Sequence, residues 1–374
     1  MKLKVFLICT GMGRVMRGYE SFAEQAFQAL SKEPSLDIIL FKGGGKAKAK
    51  EIPLWNLPRH TRTACRIAKY TKTSAYLIEQ ISFFFSLIPH IQTDKPDVIY
   101  FSDNDIGNLL AHWRRLTKQS YKLLFRNGGP VRPKAHIFNN CDLIQQIAPQ
   151  HLQNCLKAGI SAQKQTLVTS GAEIAAELQI LLPSEKEALR NKLGLPEKTP
   201  LILSVGYISK SHKRMDYLIR EVASLPEPRP YLLLLGHQDG NSPEIIELGN
   251  SLLGAENFQV RTVASHEVAN YYKIADAFVL ASVSEGLGRV FLEAMSYGLP
   301  CMVHDYGVTR YIFENKGYFG DFTHKGSLAD LISQILSENE DKSKFYQRHH
   351  FIYERFSWDK LLPSYVKMIR MLTN

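Results

Sequence analysis

Residues 284–300 read SEGLGRVFLEAMSYGLP, and this stretch decides how the fold is interpreted. The apolar run Phe278–Leu280 before it predicts a strand, and a helix is predicted to begin near Leu287. Gly286 and Gly288 therefore lie in a strand–loop–helix unit. The free backbone N–H groups of a helix N-terminus favour an anion such as a diphosphate, and glycines let a ligand approach the backbone closely. The stretch thus predicts an anion-binding loop.

Two acidic residues of this stretch, Glu285 and Glu293, lie eight residues apart. A carboxylate on the first turns of the helix can accept hydrogen bonds from paired hydroxyls, as on a ribose. Eight helical residues rise about 12 Å, whereas the two carboxyl groups of a glycosidase lie about 5–9.5 Å apart. The spacing therefore argues against a glycosidase pair and favours hydroxyl recognition.

Strands and helices alternate on both sides of this stretch, which is typical of parallel sheets covered by helices. A length of 374 residues suggests two domains, and the alternation restarts near residue 180. We therefore predict an α/β chain with domains at 1–180 and 181–356. Ligands of open α/β sheets bind outside the carboxyl ends of the strands, so we expect the chemistry in a cleft between the domains. The predicted strands are Lys4–Cys9, Asp37–Phe41, Val98–Phe101, Leu123–Phe125, Leu143–Ile147, Leu201–Val205, Tyr231–Leu235, Phe278–Leu280 and Met302–His304.

The overall composition excludes several classes of protein. Hydrophobic residues make up 45% of the chain and charged residues 22%, close to ordinary globular usage. No apolar run reaches the ~20 residues that a membrane-spanning helix needs, and the N-terminus reads as a strand rather than a signal peptide. The five cysteines are scattered and form no CxxC pair, so neither a disulfide scaffold nor a structural zinc site is indicated. We expect a reducing, cytoplasmic setting.

The positive charge of the chain is confined to its first half. Residues 1–180 carry 24 Lys and Arg against 13 Asp and Glu, a balance of +11, whereas residues 181–374 carry 22 against 23, a balance of −1. Four cations in the richest stretch recur at steps of three and four and would line one face of a helix. Nearby aromatic residues make an anionic membrane surface a candidate partner, and a solvated basic helix is the alternative. The four cations are Arg59, Arg62, Arg66 and Lys69.

Three further stretches resemble known cofactor or metal-binding motifs only in part. The glycines after the first strand lack the dinucleotide fingerprint because Met16 stands where a third glycine is needed, which disfavours NAD. A P-loop-like glycine and lysine are followed by Ala47 where Ser or Thr is required. Asp103 and Asp105 resemble the metal-binding DxD pair of single-domain glycosyltransferases, but the two-domain pattern speaks against that fold. None of the three motifs indicates a cofactor.

The stretch 284–300 resembles the E-x7-E motif of retaining glycosyltransferases of family 4, the group 1 glycosyl transferases, whose fold is GT-B. The resemblance implies two Rossmann-like domains that face a cleft. It also implies that the helix at about 357–374 crosses back onto the first domain. Five further segments resemble the family in order and spacing. They are Arg17–Phe22, Asp142–Pro149, Thr169–Glu173, Ser204–Ile219 and Asp276–Ser282.

The resemblance implies a donor site in the second domain. Glu293 matches the family's ribose-binding acid, and Glu285 matches the acid that contacts the donor sugar. Lys213 matches a phosphate-binding lysine, whose charge would stabilise the leaving diphosphate. Arg289 either contacts the donor or pairs with Glu293. The other implied donor contacts are Gly206, Gly286, Leu287 and Gly288.

One cation of the family's donor site is missing from this sequence. The family usually has an arginine soon after the strand glycine, but Gly206 is followed here by Tyr207. The same loop offers Lys210 and Arg214 instead. We name both as candidates for the second phosphate-binding cation.

The resemblance also implies that the first domain binds the acceptor. Asp103 stands near where many members carry a cleft histidine. We name it a candidate acceptor contact or base, with the N-cap of the next helix as its alternative role. Two loops that follow strands are further candidates, and in the first of them the charged pair either orders the loop or touches phosphate. Their residues are Gly11, Gly13, Arg17 and Glu20 in the first loop, and Arg126 and Asn127 in the second.

Together these features predict an enzyme, a retaining hexosyltransferase that moves a sugar from a nucleotide-diphosphate sugar to an acceptor hydroxyl. By resemblance it needs neither a cofactor nor a metal ion. The basic first domain suggests a lipid-linked or anionic glycan acceptor, and hence polysaccharide, lipopolysaccharide or glycolipid synthesis at the inner face of a membrane. Two alternatives stay open. One is a sugar-nucleotide epimerase on a related fold, and the other is a non-catalytic basic module that binds a membrane or, less favoured, nucleic acid.

Overall fold

The computed structural model describes residues 2–15, 17–129, 135–338 and 341–373. The chain divides into two units. Unit 1 comprises Met1–Glu173 and Trp358–Asn374, and unit 2 comprises Ile174–Ser357. The boundaries expected from the sequence, at 180/181 and 356/357, lie seven residues and one residue from these divisions.

Unit 1 is built on one sheet of seven strands. Each neighbouring pair is parallel. The strands are β1 (Leu3–Cys9), β2 (Leu36–Lys42), β3 (Glu51–Pro53), β4 (Val98–Phe101), β5 (Lys122–Asn127), β6 (Leu143–Gln146) and β7 (Gln165–Leu167). Their order across the sheet is β3-β2-β1-β4-β5-β6-β7. The order reverses between β1 and β4, so their carboxyl ends meet where open sheets of this kind bind ligands.

Helices connect these strands and cover both faces of the sheet. They are α1 (Gly18–Leu30), α2 (Arg62–Tyr70), α3 (Ala75–Asp94), α4 (Asn104–Thr117), α5 (Ile137–Asn140) and α6 (Pro149–Lys157). One core lies between the sheet and α1, and a second lies between the sheet and the pair α3 and α4. Because both faces are covered, the central strands are mostly buried, and the apolar strand β4 is buried at every residue.

Unit 2 repeats the same architecture with six parallel strands. The strands are β8 (Leu201–Val205), β9 (Tyr231–Leu235), β10 (Phe258–Arg261), β11 (Ala277–Leu280), β12 (Cys301–His304) and β13 (Tyr318–Gly320). Their order is β10-β9-β8-β11-β12-β13. The helices are α7 (Pro183–Lys192), α8 (Met215–Ala223), α9 (Ser242–Leu253), α10 (Val268–Ile274), α11 (Arg289–Ser296), α12 (Gly307–Phe313), α13 (Ser327–Ser337) and α14 (Lys342–Phe356).

The last helix, α15 (Trp358–Arg370), belongs to unit 1 although it follows unit 2 in the chain. Its buried residues Tyr365 and Ile369 share a core with Phe22 and Leu30 of α1. The Tyr365 hydroxyl donates a hydrogen bond to the Thr169 carbonyl at 2.7 Å. The expected return of the C-terminal helix to the first domain is therefore confirmed, and so is the predicted α/β fold with two parallel sheets.

Aspartates tie neighbouring strands together at the amino edge of both sheets. Each stands directly before a strand, and its carboxylate accepts a hydrogen bond from a backbone N–H of the adjacent strand. The pairs are Asp97 with Lys4 at 2.7 Å, Asp142 with Leu123 at 2.7 Å and Asp276 with Leu201 at 2.6 Å. Two of these aspartates open segments that resemble family 4. Their role in this chain is to hold strands in register, far from the carboxyl edge.

Candidate functional site

The carboxyl edge of the unit 2 sheet joins two oppositely charged side chains from separate loops. Lys213 follows β8 and Glu285 follows β11, and these strands are neighbours. Lys213 Nζ lies 2.5 Å from Glu285 Oε1, and the two side chains are only 14% and 12% exposed. The stem of Lys213 lies beside Gly206, the residue directly after β8. Lys213 and Glu285, which together with Asp103 are the candidates for catalysis, therefore form one ion pair.

Tyr306, which the sequence analysis missed, fixes the backbone of this site from the loop after β12. Its hydroxyl oxygen accepts a hydrogen bond from the Glu285 N–H at 2.7 Å. Burial raises the pKa of Tyr306 above its usual value, so the phenol stays protonated at neutral pH. Its ring stacks on His304, with centroids 5.8 Å apart. Three adjacent strands, β8, β11 and β12, thus supply this part of the site.

Gly288 determines where α11 begins. It is the N-cap residue with φ +73°, in the region that favours glycine, and a Cβ there would lie 2.6 Å from the Phe291 ring. The helix N-terminus that follows carries free backbone N–H groups and partial positive charge. Gly286 and Leu287 lie in the loop that leads into it, with the Leu287 side chain buried. The strand–loop–helix unit predicted around 284–300 is therefore present.

Glu293 lies on the second turn of α11, where Tyr272 holds it. The Tyr272 hydroxyl donates a hydrogen bond to Glu293 Oε2 at 3.1 Å. Tyr272 is buried in α10, and its ring stacks on Tyr297 with centroids 5.5 Å apart. Burial, together with the adjacent carboxylate, raises the pKa of Tyr272. This hydrogen bond from Tyr272 orients the Glu293 carboxylate on α11.

The two candidates for a second phosphate cation have partners elsewhere. Lys210 Nζ lies 2.5 Å from Glu244 Oε2, in a pair that is more than half exposed. Arg214 donates from Nη1 to the Phe322 carbonyl at 2.6 Å, and its guanidinium lies 4.4 Å from the centre of the Tyr217 ring. In unit 2, therefore, Lys213 is the cation that the structure joins to Glu285.

Asp103 in unit 1 is surrounded by hydroxyl donors at the carboxyl end of β4. Its carboxylate accepts hydrogen bonds from Tyr76 and, at 2.9 Å, from Thr10 Oγ1. Burial raises the pKa of Asp103, and the nearby Glu20 carboxylate adds to the shift, against the opposing effect of the two hydroxyls. Asp103 is the N-cap residue of α4, but its side chain makes no capping hydrogen bond. The expected capping role is therefore wrong for the carboxylate.

The charged pair in the first loop of unit 1 orders that loop. Arg17 Nη2 lies 2.9 Å from Glu20 Oε1, and the Glu20 side chain is buried. Gly11 lies directly against this pair. Gly13 has φ +84°, and a Cβ there would lie 2.4 Å from the Gly44 backbone. Of the two roles expected for Arg17 and Glu20, these contacts favour the ordering of the loop.

Arg126 and Asn127 lie inside unit 1 rather than on an open loop. They end β5 and are 5% and 4% exposed. Arg126 donates from Nη2 to Ser170 Oγ at 2.6 Å, and Asn127 donates from Nδ2 to Gln146 Oε1 at 2.8 Å. The expectation that these two residues lie in the loop after the strand is therefore corrected, because β5 continues to Asn127 and its last residues are covered by their neighbours.

Only three of the four cations predicted to line one face of a helix lie in α2. Helix α2 begins at Arg62 with Thr61 as its N-cap, so Arg59 lies outside the helix. The Arg59 guanidinium turns inward and pairs with Glu79 at 2.6 Å, while it lies 3.9 Å from the centre of the Tyr76 ring. Arg59 thus belongs to the polar network around Asp103 and not to a surface patch.

The described residues contain no group of three or more His, Cys, Asp or Glu side chains that could hold a metal ion. Asp103 and Asp105, the DxD-like pair, stand at the start of α4, where the Asp103 carboxylate accepts from two protein hydroxyls. Within the same described part of the chain, no helix is long and apolar enough to cross a membrane.

Comparison with known sequences links unit 2 to one family. Residues 185–350 match the family described as Glycosyl transferases group 1. The D-inositol 3-phosphate glycosyltransferase of Xylanimonas cellulosilytica is 28% identical over 195 residues, which are 50% of this chain and 46% of that protein. The lipopolysaccharide core biosynthesis glycosyltransferase LpsE of Rhizobium meliloti is 27% identical over 184 residues, 48% of this chain and 52% of that protein. The chain thus spans about half the length of the curated relatives it matches.

Comparison with solved structures covers the whole chain. Sucrose-phosphate synthase from Thermosynechococcus elongatus aligns with a TM-score of 0.81 at 18% identity, over 100% of this chain and 99% of that one. HepE from Anabaena, solved with UDP and glucose, aligns with a TM-score of 0.74 at 16% identity, over 99% and 100%. These likenesses show that the fold is that of GT-B glycosyltransferases. The segment that carries Lys213, Glu285 and Glu293 is also the segment that is similar in sequence to group 1 glycosyl transferases.

Proposed function

We propose that the chain is a retaining glycosyltransferase of family 4, which transfers a sugar from a nucleoside diphosphate sugar to an acceptor hydroxyl without a metal ion. The observation that carries the proposal is the Lys213–Glu285 pair at the N-terminus of α11, eight residues before Glu293. The similarity of residues 185–350 to group 1 glycosyl transferases supports the same reading. So does the fold shared with HepE, which was solved with UDP and glucose.

The chemistry follows from the charges in this site. The bond between the sugar C1 and the diphosphate oxygen breaks, and a bond from C1 to the acceptor oxygen forms on the same face. The acceptor proton passes to the leaving phosphate. Lys213 stabilises the charge that develops on the diphosphate, together with the N–H groups at the start of α11. Glu285 accepts hydrogen bonds from the donor sugar, and Glu293 accepts them from the ribose.

The acceptor is proposed to be lipid-linked or anionic, in the synthesis of a surface polysaccharide, lipopolysaccharide or glycolipid. The names of two relatives support this class. They are the lipopolysaccharide core enzyme LpsE and the alpha-monoglucosyldiacylglycerol synthase of Streptococcus pneumoniae, the latter 25% identical over 186 residues. A negatively charged membrane would also attract the surplus of 11 positive charges (24 − 13) in residues 1–180.

Helix α2 is the surface we propose for this membrane contact. Arg62, Arg66 and Lys69 are exposed on one face, whereas Ala64 and Ala68 are buried on the other. Large hydrophobic side chains lie close to the basic face in sequence and are exposed as well. They are Trp55 at 70%, Tyr70 at 91% and Phe85 at 64%. Cations beside exposed aromatic rings are typical of proteins that bind the surface of anionic bilayers.

Nucleotide binding is the first test of the proposed function. Calorimetry with UDP, GDP, ADP and CMP is expected to find one nucleoside diphosphate that binds in the micromolar range. Glu293→Ala should weaken that binding about 10- to 100-fold, because it removes charged hydrogen bonds to the ribose. Glu247→Ala, which removes an exposed acid from α9 of the same unit, is the matched control and should bind like the wild type.

The outcomes separate the proposal from its rivals. A folded protein that binds none of the nucleotides would overturn the proposal and favour a non-catalytic basic module. Release of an altered sugar nucleotide with no acceptor present would favour an epimerase. With a donor identified, transfer that persists in EDTA, and a product whose anomeric configuration by NMR matches the donor, would support the metal-independent retaining mechanism.

A further inference from the structure

Arg126 is a buried cation in unit 1 whose surroundings do not neutralise it. The residue is 5% exposed and ends β5. Its Nη2 donates to Ser170 Oγ at 2.6 Å, and its guanidinium lies 4.2 Å from the centre of the Phe22 ring. Its Nε is buried without a hydrogen-bond partner. Among the described residues, no Asp or Glu forms an ion pair with it.

A buried charge without an ionic partner lowers the stability of the folded state. Removing a guanidinium from water is offset only by good ionic and hydrogen-bonding partners, and a serine hydroxyl with one aromatic face supplies little of what is lost. Arg190 of unit 2 shows the alternative. It is 3% exposed, pairs with Asp276 at 2.6 Å, and donates to the backbone carbonyls of Ile274, Glu197 and Thr199. The described part of the chain therefore provides no anion to the Arg126 guanidinium.

One end of the Arg126 guanidinium is not covered by any of the described residues. Nη1 donates none of the described hydrogen bonds and is not among the buried unpartnered atoms. A Cβ added at Gly128 would lie 2.8 Å from Nη1 and cover it. At Gly129, a Cβ would have no described neighbour within 4 Å. The half-exposed Ser102 lies beside the same place, since its Oγ would be 3.9 Å from that Gly128 Cβ.

We infer that Arg126 binds an oxyanion of the acceptor, and that a phosphate group fits the site best. A phosphate supplies the missing negative charge, and its several oxygens suit the planar guanidinium, which binds phosphates in a defined geometry. Gly128 has no side chain to cover Nη1, since a Cβ there would lie 2.8 Å from it. The assignment of the anion to the acceptor rests on the proposed function. The anion site itself can be tested without any transfer reaction.

Thermal unfolding with inorganic phosphate as the probe tests the inference. Phosphate would also bind near Lys213, so Lys213→Ala serves as the host protein. In this host, phosphate at about ten times its dissociation constant should raise the melting temperature by about 3–5 °C relative to chloride of equal ionic strength. Arg126→Met in the same host should remove this rise, and Arg126→Lys should retain part of it. Acetate in place of phosphate distinguishes a carboxylate site from a phosphate site.

The melting temperature without phosphate separates a binding role from a structural one. If Arg126 serves to bind a ligand, Arg126→Met should unfold at the same temperature as the host protein or at a higher one, because the substitution removes a buried unpaired charge. Arg190→Met is the matched control and should lower the melting temperature by about 10 °C. A loss of this size in Arg126→Met, or an unchanged phosphate response, would overturn the inference.

Nucleotide calorimetry keeps this result apart from the proposed function. Arg126→Met in the otherwise wild-type chain should bind the nucleoside diphosphate with unchanged affinity, because Arg126 and Glu293 belong to different units. If the wild type binds no nucleotide, the proposed function is contradicted. The anion site would then still be tested by the effect of phosphate on the melting temperature.

Discussion

Arg190 in unit 2 and Arg126 in unit 1 are both almost fully buried, but they are neutralised in different ways. Arg190 shares the Asp276 carboxylate with Lys186 and donates to backbone carbonyls. Arg126 has a serine hydroxyl and an aromatic ring. The same contrast holds for two aspartates, because the pKa of Asp276 is lowered and that of Asp103 is raised.

This difference in neutralisation distinguishes buried charges that stabilise the fold from a buried charge to which we assign a ligand. In unit 2 even the Glu221 carboxylate, buried in α8, accepts hydrogen bonds from the backbone N–H groups of Gly326, Leu328 and Ala329 at the start of α13. Such groups are satisfied within the chain. Groups left in an unfavourable state are more frequent at functional sites than elsewhere. Arg126, which has no described acidic partner, is the group to which we assign the anion site in unit 1.

The largest expected effect tests the paired charges at the carboxyl edge of unit 2. Lys213→Ala should lower kcat about 100- to 1,000-fold, since one group that stabilises the developing negative charge is lost. Initial rates with the donor identified by calorimetry measure this effect. Lys210→Ala removes a lysine of the same loop that pairs with Glu244 in an exposed position, and it should change kcat little. Equal losses in the two variants would contradict the assignment of Lys213.

The next effect tests the surplus charge of unit 1. Replacing Arg62, Arg66 and Lys69 with glutamine should weaken binding to vesicles of phosphatidylcholine and phosphatidylglycerol about 100-fold, at about 1 kcal/mol for each cation. Sedimentation with vesicles at low and high salt measures the change. The matched control replaces three other exposed lysines with glutamine, so that it loses the same charge outside α2. These lysines are Lys157, Lys192 and Lys198.

Two results would contradict the membrane surface. If both triple variants bind equally well to the anionic vesicles, α2 has no special role. If the wild type does not bind them at low salt, the basic face of α2 is a solvated helix surface and the aromatic residues beside it are incidental.

The smallest expected effect compares the two aspartates. Burial alone would raise the pKa of Asp276, but Lys186 and Arg190 outweigh it and the pKa is lowered. Its contribution to stability is therefore complete above the unfolded-state pKa of about 3.9 and is lost as the pH falls through the lower folded-state pKa. Asp276→Asn should lower the free energy of unfolding by about 2 kcal/mol at pH 7, and this difference should shrink below about pH 4.

Asp103→Asn is the control with the opposite sign. Because burial raises the pKa of Asp103, its favourable contribution is complete below about pH 3.9 and is lost as the pH rises through the higher folded-state pKa. The variant should therefore be as stable as the wild type, or more stable, at pH 7. Calorimetric unfolding between pH 3 and pH 8 measures both variants. A loss of stability in Asp103→Asn equal to that in Asp276→Asn would contradict the comparison between the units.

The sequence predicted the central strands of both sheets but missed all of the edge strands. Those it missed are β3, β7, β10 and β13, which are the two edges of each sheet. A central strand is covered on both faces and reads as a continuous apolar run. An edge strand is short and partly exposed, so its pattern does not rise above that of a loop. Burial along the edge strand β13 is intermediate at every residue, whereas β9 is buried throughout.

The sequence by itself determined the α/β class, the two sheets and the loop around Gly288, because these depend on local periodicity and on residues close in the chain. Only the tertiary structure decided which charges meet. Lys213 and Glu285 pair across 72 residues because β8 and β11 are adjacent. Arg59 turns towards Glu79 because α2 begins three residues later. Arg126 is buried with no described carboxylate paired to it because its neighbours are set by strand order, which no local sequence pattern records.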